Sequence, residues 1–475
     1  MARRALGYEE AGGSLSVPRD RPVRGQALFA VASVVFLVGA MAWLDRSGTK
    51  APAPLPPGTA ASGAWFCPHG GGSDLSVALY LANPGSTTVR ARVTELGSDP
   101  AKAPESYDVP GGSTVRIDQV PKDRGAATYV EYFGGWIGAG WVASTDEGVG
   151  AEPCAADAAR RWFLVDGTTQ LGEEAYVIVA NPFAVAAVMN VILYTSDRAP
   201  IRDSEWTDLV VPARRSTALH LNTKVEGEPV VAAAIEVSVG RVAAASLGVS
   251  DRTKVRSALG WTEPTAKATF PLMQGSGQIE LLLLSTGGES IRFGATALSE
   301  GQPRPAGGLT EQEHAPAAAR TYVIPVEPGP VAIDLFTLEH AQVIGALRAR
   351  GPGEDLGATA GAIAASGSWL VLPATSLGPA TPGAVLVNDG DTDVVATVQL
   401  LPHEGGTAAA PVTVRVAAHS AAAVPREFWA SAPGAAMLVR SEGGPLFALA
   451  ASTSGGSGGA QGYALSMGVP FPSTS

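Results

Sequence analysis

A pattern of roughly 100 residues recurs four times after residue 64, and no other feature limits the fold as strongly. A chain built this way forms four similar small units, not one large core. The first copy opens with Trp65-Phe66-Cys67-Pro68, and an apolar run at 77–81 leads into Asn83-Pro84-Gly85. Further apolar stretches at 89–93, 107–110, 114–117, 128–132 and 141–144 complete it. The second copy repeats the order with Trp162-Phe163, Asn181-Pro182 and a Val211-Pro212 turn. The fourth does so with Trp369-Leu370 and Asn388-Asp389-Gly390. The third is the most eroded: Phe270 stands for the opening Trp, and Ser285-Thr286-Gly287-Gly288 for the Asn turn.

The segments are short, rich in β-branched residues and punctuated by Gly, Pro, Asn and Asp, which is strand and hairpin chemistry. Asn-Pro and Asn-Gly initiate turns, and Val-Pro fixes φ at the start of a second hairpin. Six or seven strands per copy fit two packed sheets. The predicted fold is therefore all-β, with tandem Ig-like β-sandwiches at 65–156, 160–252, 266–356 and 366–452. A Gly/Ser-rich C-terminal segment follows at 453–475, with strand character at 462–469. The alternative is a β-propeller, in which each copy holds two blades of 40–50 residues.

Residues 27–44 are uninterrupted by charge and would span about 27 Å as a helix, close to a bilayer's hydrocarbon thickness. Arg3, Arg4, Arg19, Arg21 and Arg24 precede them. The expectation is a cytoplasmic tail at 1–26, an uncleaved transmembrane helix at 27–44, a Pro-rich linker at 45–64 and an extracytoplasmic remainder. A cleaved signal peptide ending near Ala40-Met41-Ala42 is the competing reading. Cys67 and Cys154 both lie on the oxidising side of that helix and bracket one predicted domain. They are expected to form a disulfide, worth about 4 kcal/mol in the chain-entropy model.

The net charge of −11, with no basic run, argues against nucleic acid as a partner. No nucleophile elbow or P-loop occurs, and no cofactor motif is present. His69, His220, His314, His340, His403 and His419 lack metal-ligand spacing. Asp389, Asp391 and Asp393 resemble the start of a calcium loop. However, Val394 and Leu400 stand where glycine and glutamate are needed, so the run reads as a solvated hairpin turn. Glu95, Glu131, Glu173, Glu174 and Glu205 are dispersed carboxylates that only a fold could pair.

The Trp-Phe-Cys-Pro opening at 65–68, the Asn-Pro turns at 83 and 181 and the Val-Pro turns at 109 and 211 carry a resemblance to a family of uncharacterised actinobacterial proteins, secreted or membrane-anchored. That resemblance implies an envelope setting, no catalytic residues and a role beside a cell-envelope glycosyltransferase. The expectation is a non-enzymatic, membrane-anchored scaffold or binding protein whose partners are the membrane and an envelope glycan or membrane glycosyltransferase. Two other classes stand beside it: a glycan-active enzyme using dispersed carboxylates, and a spacer presenting a distal domain.

Overall fold

The computed structural model describes residues 62–471, apart from 120, 252, 275–276, 301–302, 351–355, 376–379, 404–405, 408, 433 and 456–460. The tail at 1–26 and the segment at 27–44 lie outside the described residues. No helix among the described residues is long and apolar enough to cross a membrane.

The first copy supplies eight strands: β1 (Ser62–Cys67), β2 (Ser76–Asn83), β3 (Val89–Leu96), β4 (Glu105–Val109), β5 (Ser113–Gln119), β6 (Ala127–Phe133), β7 (Gly138–Ser144) and β8 (Val149–Pro153). They form two antiparallel sheets, ordered β1-β6-β3-β4 and β5-β2-β7-β8. The other copies repeat this two-sheet plan, giving eight sheets among the described residues. The all-β tandem reading therefore holds. β1 begins at Ser62, inside the stretch read as linker. The eighth strand of the last copy is Gln461–Met467, drawn from the stretch read as a separate C-terminal segment, and it pairs with Phe447–Gly455.

Each copy ends by returning to its own opening strand. The pairs are Phe66 with Ala155, Phe163 with Trp261, Thr269 with Ala362, and Trp369 with Pro470. In the first copy the Cys67–Cys154 disulfide, with Cα atoms 4.5 Å apart, reinforces this closure. The opening tryptophans are core residues. Trp65, Trp162 and Trp369 donate their indole N–H groups to Ile137, Val242 and Leu446 carbonyls at 2.6–2.8 Å.

The Asn that recurs in the first, second and fourth copies does more than start its turn. The buried Asn83, Asn181 and Asn388 amides donate to the carbonyl four residues on (Thr87, Val185, Thr392). They also donate to the end of the fourth strand, at Val109, Val211 and Val416. Each side-chain oxygen accepts the N–H two residues on. One side chain thus ties two turns together and satisfies backbone groups that would otherwise be buried unpaired. The facing turn carries a residue in the left-handed region in every copy: Gly112, Arg214, Ala317 and His419. Each donates its N–H back into the Asn turn, to Gly85, Phe183, Gly287 and Gly390. In the third copy Ser285 replaces the Asn; it is fully buried and its hydroxyl has no partner.

The copies close into a ring. The eighth strands β8, Lys254–Leu259, Leu356–Thr359 and Gln461–Met467 pack in cyclic order around an axis, the last against β8. Each copy's second sheet lies on its own first sheet and on the first sheet of the preceding copy. In the third copy, Leu281 and Leu283 join their own core, whereas Leu282 and Leu284 meet Phe163, Val165 and Tyr194 of the second. Backbone bonds recur at the junctions: Ser216 N–H to Gly97, Ala319 N–H to Thr195 and, across the ring closure, Thr114 N–H to Pro402, at 2.9–3.1 Å. Close approach sets residue size here. A Cβ on Gly138 would clash with Leu370 Cδ2, and one on Gly150 would sit 2.9 Å from the Ser257 backbone nitrogen. The sheets thus stand around an axis as propeller blades do, while the strand order inside each interleaves the copy's two halves.

Replacing Asn181 by Ala should lower unfolding free energy by about 1–3 kcal/mol, through loss of bonds to buried carbonyls. Ser285→Asn should instead raise it, by about 1 kcal/mol. Chemical denaturation of both variants measures the two changes, and equal behaviour would contradict the role given to the Asn.

Candidate functional site

The four chain links that leave the axial strands converge at one mouth of the axis and line an open cavity of about 420 Å³. Its walls include Pro153, Trp261, Ile363 and Met467, one from each copy, together with Trp162 and Trp369. The position that pairs with the opening strand is Ala155, Trp261, Ala362 and Val469 in turn, so Trp261 is the single large aromatic at this level. Trp261 is half-buried, and its indole nitrogen has no hydrogen-bond partner. Ile363 is 62% exposed at the rim.

Two carboxyl groups line this cavity, Glu152 and Asp157. Glu152 sits in β8 opposite Trp141 and is 2% exposed. Its Oε1 has no partner. Burial pushes its pKa well above the ordinary carboxylate value; the Leu259 N–H opposes that shift and the charge of Asp166 adds to it.

Behind Glu152 lies a buried ionic cluster joining the second and third copies. Asp166, 1% exposed, ion-pairs with Arg348 through Oδ1 and lies 3.3 Å from Arg256 Nε through Oδ2. That second contact is electrostatic, without hydrogen-bond alignment. Glu173 accepts from Arg256 Nη1 at 3.0 Å and Glu280 from Arg348 Nη1 at 3.3 Å. Burial works against the Arg348 charge, and Asp166 and Glu280 more than offset it, so its pKa is raised. Asp166→Ala would leave each of two buried arginines with one carboxylate partner instead of two. It should cost about 3–5 kcal/mol, read as a shift in denaturation midpoint.

The residues singled out from sequence are mostly dispersed. Glu173 enters the ionic cluster. Glu95 pairs with Lys102, Glu131 with Arg92, Glu205 with Lys224, and Glu174 accepts from Tyr176. Asp389, Asp391 and Asp393 pair separately with Lys267, His419 and Arg415, which suits a surface turn. His69 is buried beside Gly70 and Thr128, which desolvates it and lowers its pKa to about 4; it lines a separate 250 Å³ pocket with Glu95 and Lys102. His314 is likewise buried and lowered to about 4. His220 stacks on Tyr176, and His403 contacts the Thr114 carbonyl at the ring closure. No group of three or more His, Cys, Asp or Glu suited to a metal exists among the described residues.

Glu152, Asp157, Trp261, Asp166, Arg256 and Arg348 were not found from sequence. The available signal was a lone charge inside an apolar strand, as in Val149-Gly-Ala-Glu-Pro153.

Residues 136–274 match a family described as of unknown function (DUF5719). The matched stretch runs from β7 through the whole second copy into the opening strand of the third, and so contains Glu152, Asp157, Asp166, Arg256 and Trp261 but not Arg348. No curated protein matches the chain. A solved tetra-tandem repeat from the extending region of a large adhesion protein aligns over 87% of this chain and 100% of its own, at 9% identity and a TM-score of 0.11. That score carries no argument.

Because Glu152's folded pKa is raised above its unfolded value, its contribution to stability is intact below about pH 4.5 and is lost as pH rises through the folded value. Glu152→Gln should therefore raise the melting temperature at pH 8 and leave it nearly unchanged at pH 4. Equal shifts at both pH values would show that the carboxyl ionises freely.

Proposed function

We propose that this protein is a non-enzymatic binding scaffold of the cell envelope, held outside the membrane by the segment at 27–44, with the axial cavity as its binding site. The observation that carries the reading is the construction of that cavity: all four copies contribute walls, so it is complete only when the ring closes. A pre-formed, mainly apolar cavity of 300–1,000 Å³ with a few convergent polar groups is the usual form of a ligand site. A disulfide that links the ends of the first copy agrees with an oxidising compartment. The ligand class in this reading is an envelope glycan, and the partner at the membrane a glycosyltransferase.

A second reading rests on Glu152 and Asp157 lining one cavity. Two carboxyls, one of raised pKa, are the minimum for glycoside hydrolysis.

One experiment separates the two. Full-length protein in detergent is incubated with solubilised envelope glycan, and both retention and new reducing ends are measured. Retention without reducing ends, reduced by Trp261→Ala, is the expected result. Reducing ends that vanish in both Glu152→Gln and Asp157→Asn would establish the hydrolase. No retention in any fraction would overturn the binding reading.

A further inference from the structure

The axial cavity combines aromatic walls with acids as its only ionisable lining: no Lys, Arg or His borders it among the described residues. Glu152 is almost wholly buried against it with an oxygen that nothing in the fold satisfies. Trp261 stands alone among the four equivalent link positions as an aromatic. A buried carboxyl and a tryptophan lining one pocket favour one ligand chemistry. Cations are drawn to the indole face, and a buried carboxylate is stable only beside a positive charge.

We propose that the axial cavity binds an organic ammonium group, with the Glu152 carboxylate as its counter-ion and Trp261 as its aromatic wall. The proposal rests on the axial cavity being the binding site, and it names the group recognised there. An amino sugar of a glycan and a choline-type headgroup carry the same chemistry.

Entry of the cation replaces the missing counter-charge, so Glu152 gives up its proton to solvent as the ligand binds. Asp157 at the mouth adds attraction, and Asp166 behind Glu152 is already held by Arg256 and Arg348. Glu152 is therefore the carboxyl left free to answer a ligand.

The test uses full-length protein and matched pairs of probes in calorimetry. Choline is compared with its neutral isostere 3,3-dimethylbutan-1-ol, and a glucosamine trimer with its N-acetylated counterpart. The charged member of at least one pair should bind ten-fold or more tighter than the neutral one. Glu152→Gln should abolish that preference while melting as a folded protein. Repeating the titration in buffers of different ionisation enthalpy should show proton release in the wild type and none in the variant, a readout that a purely structural Glu152 would not produce. Trp261→Phe should retain part of the preference and Trp261→Ala none. A choline-only preference assigns a headgroup, and a trimer-only preference an amino sugar. Equal binding of charged and neutral members would overturn the ammonium proposal and leave the binding scaffold standing. No binding by any probe, together with no glycan retention, would remove both.

Discussion

The second strand of each copy carries apolar side chains on both faces, and the rest of the architecture follows from covering them. In β2, Val77, Leu79 and Leu81 pack with Trp65 and Val93 of their own copy, while Ala78 and Tyr80 face the fourth copy, where the Tyr80 hydroxyl reaches the Thr375 carbonyl. A lone sandwich would leave the second of these faces in water. A row of four in a line would still leave one such face uncovered at its end. Closure covers all of them, and at about 25 cal/mol per Å² of apolar surface that gain is substantial. Strands that reach solvent obey the opposite rule: at 89–93 of β3, buried Val89, Ala91 and Val93 alternate with exposed Arg90 and Arg92.

Closure also creates the axis, and there the fold accepts charges that an ordinary core avoids. Asp166, Arg256 and Arg348 are compensated by one another and by Glu173 and Glu280, which makes the cluster a lock between two copies that tolerates no missing member. Glu152 lacks such compensation. A carboxyl whose ionisation burial opposes, beside an open cavity, is a poor structural element. Groups of that kind are found where a site awaits a ligand or a proton.

Much of the local structure was legible beforehand. Trp65, Trp162 and Trp369 marked each opening strand, and the Asn and Val-Pro elements marked the two hairpins, because turn chemistry depends on residues close in sequence. Their joint purpose was not legible: the Asn181 side chain bonds Val211, thirty positions on, and no local rule reveals that bond. The runs at 77–81 and 281–284 also held a clue. They are continuous where a half-buried strand would alternate, which is the pattern of a strand covered on both faces.

The sequence by itself determined the β class, the four-fold repeat, the turns and the pairing of the only two cysteines, since all of these depend on short-range periodicity or on a count. Only the tertiary structure decided that the copies close on one another, that 461–467 supplies the last axial strand, and that Glu152 and Trp261 share a cavity. Those outcomes depend on contacts between residues more than a hundred positions apart. Which sheet face meets which neighbour there is set by the packing of whole copies, and no single stretch of chain encodes that packing.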